Sequence, residues 1–189
     1  AAYRLSIEPD YVSNGGSGGF SYDFADNNST FAVGVSGGSD DVGKAGDPRF
    51  SRATATFGGR LSFTQVLGVG TLAQIMYELT RVAGYQASPY RWVPIGNAAE
   101  CTSATSGQSG LSTLCVLEAN PNERLRHAAS IEFRQALSEG LSLGAAYRFY
   151  TDDWGILSHT IRGDLAWKVG GDTILSPRYR FYTQTAAEH

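Results

Sequence analysis

The stretch RATATFGGRLSFTQVL, residues 52–67, alternates between two kinds of side chain for sixteen residues almost without a break. Strict alternation predicts a β-strand whose two faces meet different surroundings. Strands of soluble proteins average about five or six residues, whereas a tilted strand needs about 9 to 11 to cross a bilayer. The length therefore favours a membrane-spanning strand. One side carries Ala53, Ala55, Phe57, Gly59, Leu61, Phe63 and Leu67, and the other Arg52, Thr54, Thr56, Arg60, Ser62 and Thr64.

The same alternation recurs along most of the chain and predicts about nine or ten strands and no helix. The 23 glycines and the aromatic content of 12% suit β-structure with many tight turns. No stretch approaches the roughly 18 consecutive apolar residues of a membrane helix. The net charge of -3, without a basic block, gives no indication of a nucleic-acid partner.

The connections between the predicted strands alternate between short and long, as in barrels with trimmed turns at one end and long loops at the other. The short turns are predicted at 26–28, 68–70, 139–140 and 170–171, and the longer links at 13–18, 38–51, 83–123 and 151–157. Within the first link, NGGSGG at 14–19 has the composition of a flexible loop or an engineered linker.

These features predict an all-β fold, an antiparallel up-and-down transmembrane β-barrel. Residues 1–189 form one domain with a long external loop at 83–123. An odd count of nine strands leaves the first and the last, residues 172–182, parallel to each other; they would form a parallel seam if they met, as in the known barrel of nineteen strands, and otherwise they are edges that lipid does not tolerate. We therefore expect this chain to be part of a larger barrel, completed by a partner protein or an additional chain segment. A soluble antiparallel sandwich or barrel is the alternative, since one-sided burial gives the same alternation.

The polar positions of the predicted strands include full charges in mid-strand. In a barrel these side chains face the lumen and pair with one another, while the apolar positions face lipid. The predicted lumenal charge network consists of Arg60, Glu78, Glu132, Arg134, Arg148, Arg162, Asp164, Arg178 and Arg180.

Three motifs resemble those of a known family. They are GYQASPYR (84–91), YRFYTDDWGILSHT (147–160) and PRYRFYTQTAA (177–187). Together they are similar to a family of uncharacterised bacterial proteins predicted to form outer-membrane β-barrels, over about residues 52–187. The resemblance implies this architecture and a bacterial outer-membrane location, and it supplies no catalytic residues.

The motif TDDWG, residues 151–155, contains the only weak metal candidates, Asp152 and Asp153. Two carboxylates fall well short of the six to eight oxygen ligands of calcium. The competing interpretation is a hairpin loop in which the aspartates cap turn amides while Trp154 lies in the membrane interface. We favour this second interpretation and expect no metal and no cofactor.

Cys101 and Cys115 flank a polar stretch inside the longest loop. A cysteine pair without further ligands nearby predicts a disulfide, not a metal site, and implies an oxidising compartment. Such a bridge stabilises a fold by about 3 kcal/mol in the chain-entropy model. Two free thiols are the alternative.

The letters G-x-S-x-G occur at 15–19, 34–38 and 140–144, but no helix is predicted after any of them, so no strand-to-helix nucleophile elbow is indicated. Neither His127 nor His159 has a carboxylate at a spacing that would orient it as a base. The sequence therefore predicts that the protein is not an enzyme. We expect a passive outer-membrane barrel in contact with the lipid bilayer, either a narrow pore or a scaffold that presents external loops. The alternatives are an outer-membrane enzyme that modifies lipid and a soluble secreted β-barrel binding module.

Overall fold

The computed structural model describes residues 1–96 and 113–188, and its regular secondary structure is entirely β. No helix that is long and apolar enough to span a membrane occurs among these residues. The strands are β1 (Ala2–Glu8), β2 (Tyr11–Phe24), β3 (Ser29–Val42), β4 (Arg52–Gly68), β5 (Thr71–Gly84), β6 (Trp92–Gly96), β7 (Thr113–Leu117), β8 (Glu123–Ser138), β9 (Leu141–Asp152), β10 (Leu157–Lys168), β11 (Ile174–Leu175) and β12 (Arg178–Gln184).

Ten of these strands form one antiparallel sheet in which neighbours along the chain lie side by side. This confirms the predicted all-β, up-and-down architecture. Strands β11 and β12 pair with the same edge of β10 in one unbroken register, Trp167 with Leu175 and Asp164 with Arg178. They are one edge strand interrupted at Pro177, which has no N–H to donate. The sheet therefore consists of nine strand positions.

The connection from β5 to β8 contains structure of its own. Strands β6 and β7 pair antiparallel as a separate two-stranded hairpin, with Trp92 opposite Leu117. The amide of Gly84 donates to Asn122 O at 2.7 Å, which joins the two ends of the connection. The predicted loop at 83–123 thus contains a pair of strands in its described part, and it leaves and rejoins the sheet between neighbouring strands.

The two ends of the sheet differ, as the sequence indicated. At one end the turns are short and use positive φ angles, for example 54° at Asp26, 73° at Gly70 and 101° at Gly170. Such angles are typical of tight hairpin turns. The other end, here called the loop end, bears the connections 43–51, 85–122 and 153–156.

The prediction of a flexible link at 13–18 is wrong. The sequence NGGSGG lies inside β2, and its glycines pair with glycines of β3, among them Gly15 with Gly38 and Gly19 with Gly34. The backbones approach closely there, because a Cβ at position 38 would lie 2.9 Å from Asn14 O. The first turn of the sheet is therefore at residues 9–10, and this hairpin is built on backbone pairing where no side-chain alternation was visible.

The prediction of a closed barrel is not met within the described residues, where the edge strands β1 and β12 are not paired with each other. All neighbours in the sheet are antiparallel, so nine positions leave β1 and β12 running parallel to each other. Antiparallel pairing, which joins all the neighbouring strands of the sheet, therefore cannot join β1 to β12.

The apolar face of the sheet is exposed. Its large side chains include Phe57, 59% exposed, Ile75, 57% exposed, and Ile131, 50% exposed. Within the described part of the chain only Val82, Cys115 and Ala128 are buried hydrophobic residues. The sheet therefore has no packed core of the kind that stabilises a soluble domain.

Candidate functional site

The opposite face of the sheet bears most of the charged side chains of the strands. Residues paired across an antiparallel ladder point to the same side. Arg60 pairs with Glu78, and Glu132 is level with Arg162 across β9. We call the side that bears these residues the polar face.

Glu78 joins strands that are not neighbours. Its Oε1 accepts from Arg60 Nη2 at 2.7 Å, and its Oε2 lies 2.9 Å from Arg148 Nη2. Arg148 is on β9, so this ion pair passes over β8, where the residue paired with Glu78 is the buried Ala128. The small side chain leaves the space through which the two long ones meet.

A second group of ion pairs surrounds Glu132. Arg134 Nε donates to its Oε1 at 2.8 Å, and Arg162 Nη2 donates to its Oε2 at 3.0 Å. Asp164 lies 3.6 Å from Arg134 Nη1 and 3.9 Å from Arg162 Nε. Four charged side chains from β8 and β10 therefore form linked ion pairs above β9, the strand between them.

The strand between them, β9, places small residues under this group. Ala146 lies between Glu132 and Arg162, and Gly144 lies between Arg134 and Asp164. A Cβ at position 144 would be 2.6 Å from Asp164 Oδ2, so the carboxylate occupies the space above the glycine. We call the seven bonded residues the charge network: Arg60, Glu78, Glu132, Arg134, Arg148, Arg162 and Asp164.

Arg178 and Arg180 share the polar face but are not part of this network. Neither has an ion pair with any residue that the structure describes. The guanidinium of Arg180 lies 5.6 Å from the centroid of the Tyr182 ring. The structure thus places seven of the nine predicted residues in two separate groups of ion pairs, one around Glu78 and one around Glu132. The lumenal location of all nine stays a prediction.

The motif TDDWG forms a compact polar cluster at the loop end. The buried carboxylate of Asp152 accepts from Arg124 Nε at 2.9 Å and from the Tyr150 hydroxyl at 2.6 Å. Its other oxygen accepts from the amides of Trp154 and Ile156, both at 3.1 Å. These bonds are the turn-capping role considered above, with an arginine in addition.

The second aspartate of the motif ties the turn to β8. Asp153 Oδ2 accepts from the Leu125 amide at 3.0 Å, and Trp154 Nε1 donates to Glu123 O at 2.9 Å. The described residues contain no group of three or more side chains that could hold a metal ion. Both weak metal candidates therefore have protein partners for their carboxylates.

Glu118 fixes the long connection. It accepts from the Ser88 amide at 3.1 Å and from Arg91 Nη1 at 2.9 Å. The Ser88 hydrogen bond, with help from Arg91, lowers the pKa of this carboxyl below its ordinary value, against the opposing effect of desolvation. Two residues of the motif GYQASPYR thus hold the two arms of this connection together.

Tyr90, from the same motif, links three loops. Its hydroxyl donates to Asp10 Oδ2 and accepts from the Ala45 amide at 2.7 Å. The hydrogen bond from the Ala45 amide has the largest single effect on the pKa of the phenol and lowers it, but Asp10 and desolvation together outweigh it and raise this pKa above its usual range. The loop end is therefore bound together across strands β1, β3 and β5.

On the apolar face, two tyrosines and two histidines form hydrogen-bonded pairs. The hydroxyl of Tyr77 lies 2.7 Å from His127 Nδ1, and that of Tyr147 lies 2.7 Å from His159 Nδ1. Tyrosine and histidine present an apolar body and a polar tip, so each pair satisfies its polar atoms while the rings stay on the apolar face. The histidines therefore serve as hydrogen-bond partners of tyrosines on this face.

The predicted disulfide joins residues of which one, Cys101, lies outside the described part of the chain. Cys115 lies in β7 and is 4% exposed. The bridge stays a prediction.

Sequence reasoning missed the small residues on which the charge network depends. Ala128, Gly144 and Ala146 occupy polar-face positions and look like weak interruptions of the alternation. Only the register shows that charges flank them on neighbouring strands. The sequence did contain one signal for this group. Two charges of opposite sign stand two residues apart in each of two strands, Glu132 and Arg134 in one and Arg162 and Asp164 in the other.

This chain belongs to the DUF3570 family, described as a protein family of unknown function, whose family model matches residues 1–189. No curated protein matches the chain. No solved structure matches it either. The membership confirms that the chain is one of a family without an assigned activity; the outer-membrane character that the motifs imply stays a prediction.

Proposed function

We propose that this DUF3570 protein forms a bilayer-spanning wall of a bacterial outer-membrane β-barrel and acts as a scaffold that presents the connections of the loop end. The observation that supports this most strongly is the contrast between the faces. Large apolar side chains are exposed on one face, and the charge network occupies the other. This is the arrangement of lipid-facing and lumen-facing positions in a transmembrane barrel.

Lipid is the surrounding that suits the apolar face. Removing a large apolar side chain from water stabilises a fold by about 1.5–3 kcal/mol. The protein would lack this stabilisation if the face were exposed to water. Within the described residues no second layer of strands or helices lies over this face. Contiguous apolar surface of this extent marks a membrane or interaction surface.

The arrangement of side chains on the polar face favours a scaffold over an open channel. Barrels of about eight strands are just filled by side chains, whereas water-filled porins have about sixteen. Ion pairs that reach over a whole strand, such as Glu132 with Arg162, occupy the space above the sheet. A narrow pore is the second candidate, and it is favoured by the 62% exposure of the Arg60 side chain within the same network.

The proposal requires that the open edges be paired in the bilayer, by a further strand or by a parallel seam between β1 and β12, because unpaired backbone groups are not tolerated in lipid. Since β1 and β12 run parallel to each other, any strand antiparallel to one is antiparallel to the other. A single such strand, or an odd number of them, would close the sheet with antiparallel pairing throughout. A partner protein or an additional segment of the same chain would supply it.

Site-directed spin labelling tests the assignment of the faces. Ile131→Cys and Ser130→Cys place the label at neighbouring positions of β8 on opposite faces, in a background with serine at both native cysteines. In lipid vesicles we expect label 131 to be relaxed by oxygen, which concentrates in hydrocarbon, and label 130 by a water-soluble nickel complex.

Equal relaxation of both labels by the nickel complex would contradict a lipid-facing surface. Planar-bilayer recording of the unmodified protein then separates the two candidates. The scaffold predicts no stepwise conductance, and the narrow pore predicts it.

A further inference from the structure

The polar face is divided into two halves of different charge. On strands β1–β5 it has three cationic side chains, Arg4, Arg52 and Arg60, and four acidic ones, Glu8, Asp23, Asp40 and Glu78. On strands β8–β12 it has eight cationic side chains and three acidic ones. The cationic ones are Arg124, Arg126, Arg134, Arg148, Arg162, Lys168, Arg178 and Arg180, and the acidic ones are Glu132, Asp152 and Asp164.

The excess is local and not a property of the whole chain, whose net charge is -3. The ion pairs within this half neutralise only part of the excess positive charge. Arg178 and Arg180 have no acidic partner among the described residues. Arg126 Nε is a buried nitrogen without a hydrogen-bond partner in that same part of the chain. Three guanidinium groups on one half of the face therefore have unused donors.

A groove beside Arg180 offers further donors. It encloses about 370 Å³, and its lining includes Arg148, Arg180, Ser158, Thr160, Tyr182 and Gln184. No acidic residue lines it. The hydroxyls of Ser158 and Thr160 make no hydrogen bond within the described residues, although Ser158 is only 5% exposed. Guanidinium and hydroxyl donors without competing carboxylates are the groups that recognise an oxyanion.

We propose that the polar face of β8–β12 is a binding surface for small solutes that bear a phosphate or another oxyanion, centred on the groove at Arg180 and extending to Arg178. Rings and clusters of arginine give barrel lumens and anion pores their preference for such solutes. This inference rests on the proposed function in one respect, that the polar face is an interior surface and is not covered by lipid; it requires in addition that water reaches the groove at Arg180.

The test is binding of inorganic phosphate to the folded protein in nonionic detergent, measured by isothermal titration calorimetry at constant ionic strength. We expect saturable binding that the double variant Arg178→Gln/Arg180→Gln weakens roughly tenfold or more, as for the loss of charge-assisted hydrogen bonds. Arg4→Gln is the matched control, because Arg4 is also an arginine of the polar face without an ion pair in the described part. It should leave binding unchanged.

Three results would overturn the proposal: no saturable phosphate binding, equal weakening by Arg4→Gln, or no effect of the double variant. A second arm replaces phosphate by micelles that contain an anionic phospholipid. Binding of that lipid without binding of free phosphate would assign the arginines to headgroups and would also overturn it. Spin labels 130 and 131 report the face assignment independently, so a failure here is distinguishable from a failure of the proposed function.

Discussion

At the scale of single residues, the protein places its smallest side chains where its longest ones must cross. Gly144 and Ala146 lie under ion pairs between β8 and β10, and Ala128 lies under the pair between Glu78 and Arg148. A partly exposed ion pair contributes at most about 1 kcal/mol by itself. The contribution of the charge network to stability therefore depends on the arrangement of its ion pairs, in which every carboxylate contacts two arginines.

Gly144→Ala tests that geometry. The new Cβ would meet the Asp164 carboxylate at 2.6 Å, displace it and separate it from Arg134. Because the carboxylate is the mobile end of a side chain and can turn away, we expect a loss of no more than about 1 kcal/mol in the free energy of unfolding, the contribution of a partly exposed ion pair. Gly163→Ala is the control, since nothing lies within 4 Å of a Cβ at that position. Urea unfolding in detergent, followed by tryptophan fluorescence, measures both, and equal stabilities would argue against the close contact.

At the scale of elements, the sequence predicted strands where large side chains alternate and failed where they do not. Residues 52–67 were recognised because Phe57, Leu61 and Phe63 mark one face and Arg60 the other. The composition of residues 14–19 of β2 predicts a flexible link, because glycine and serine give no alternation. Their pairing with Gly34, Gly37 and Gly38 of β3 is a property of the register. The charge network was predicted from parity alone, but which charges meet depends on the same register.

The long connection between β5 and β8 gives a pH-dependent prediction. The pKa of Glu118 is lower in the folded protein than its ordinary value, so the stabilisation it provides is fully present above that ordinary value. It is lost as the pH falls through the folded pKa. We expect the exchange of the Ser88 amide, corrected for the intrinsic rate, to accelerate in this acidic range. Glu118→Gln should show faster exchange at neutral pH and little further change on acidification; wild-type protection that is independent of pH would contradict the assignment.

At the scale of the whole molecule, two properties of the sheet point to the same environment. One face is apolar and exposed, and both edges are open among the described residues. In water both would promote aggregation. In a bilayer the apolar face is solvated by lipid, and both edges must be paired, by a strand that runs antiparallel to β1 and β12 or by a parallel seam between them. The sequence alone indicated the first property through alternation and the second through the odd number of strands.

Arginine substitution at adjacent positions of β4 tests the central claim, that one face meets lipid and the other does not. Leu61 lies on the apolar face and Ser62 on the polar face of the same strand. An arginine near the bilayer midplane on the lipid side costs about 2–4 kcal/mol, whereas a lumenal one is tolerated. The measurement is the folding free energy in vesicles, from urea titration. The account predicts that Leu61→Arg loses about 2–4 kcal/mol while Ser62→Arg loses much less; equal losses, or a larger loss for Ser62→Arg, would contradict it.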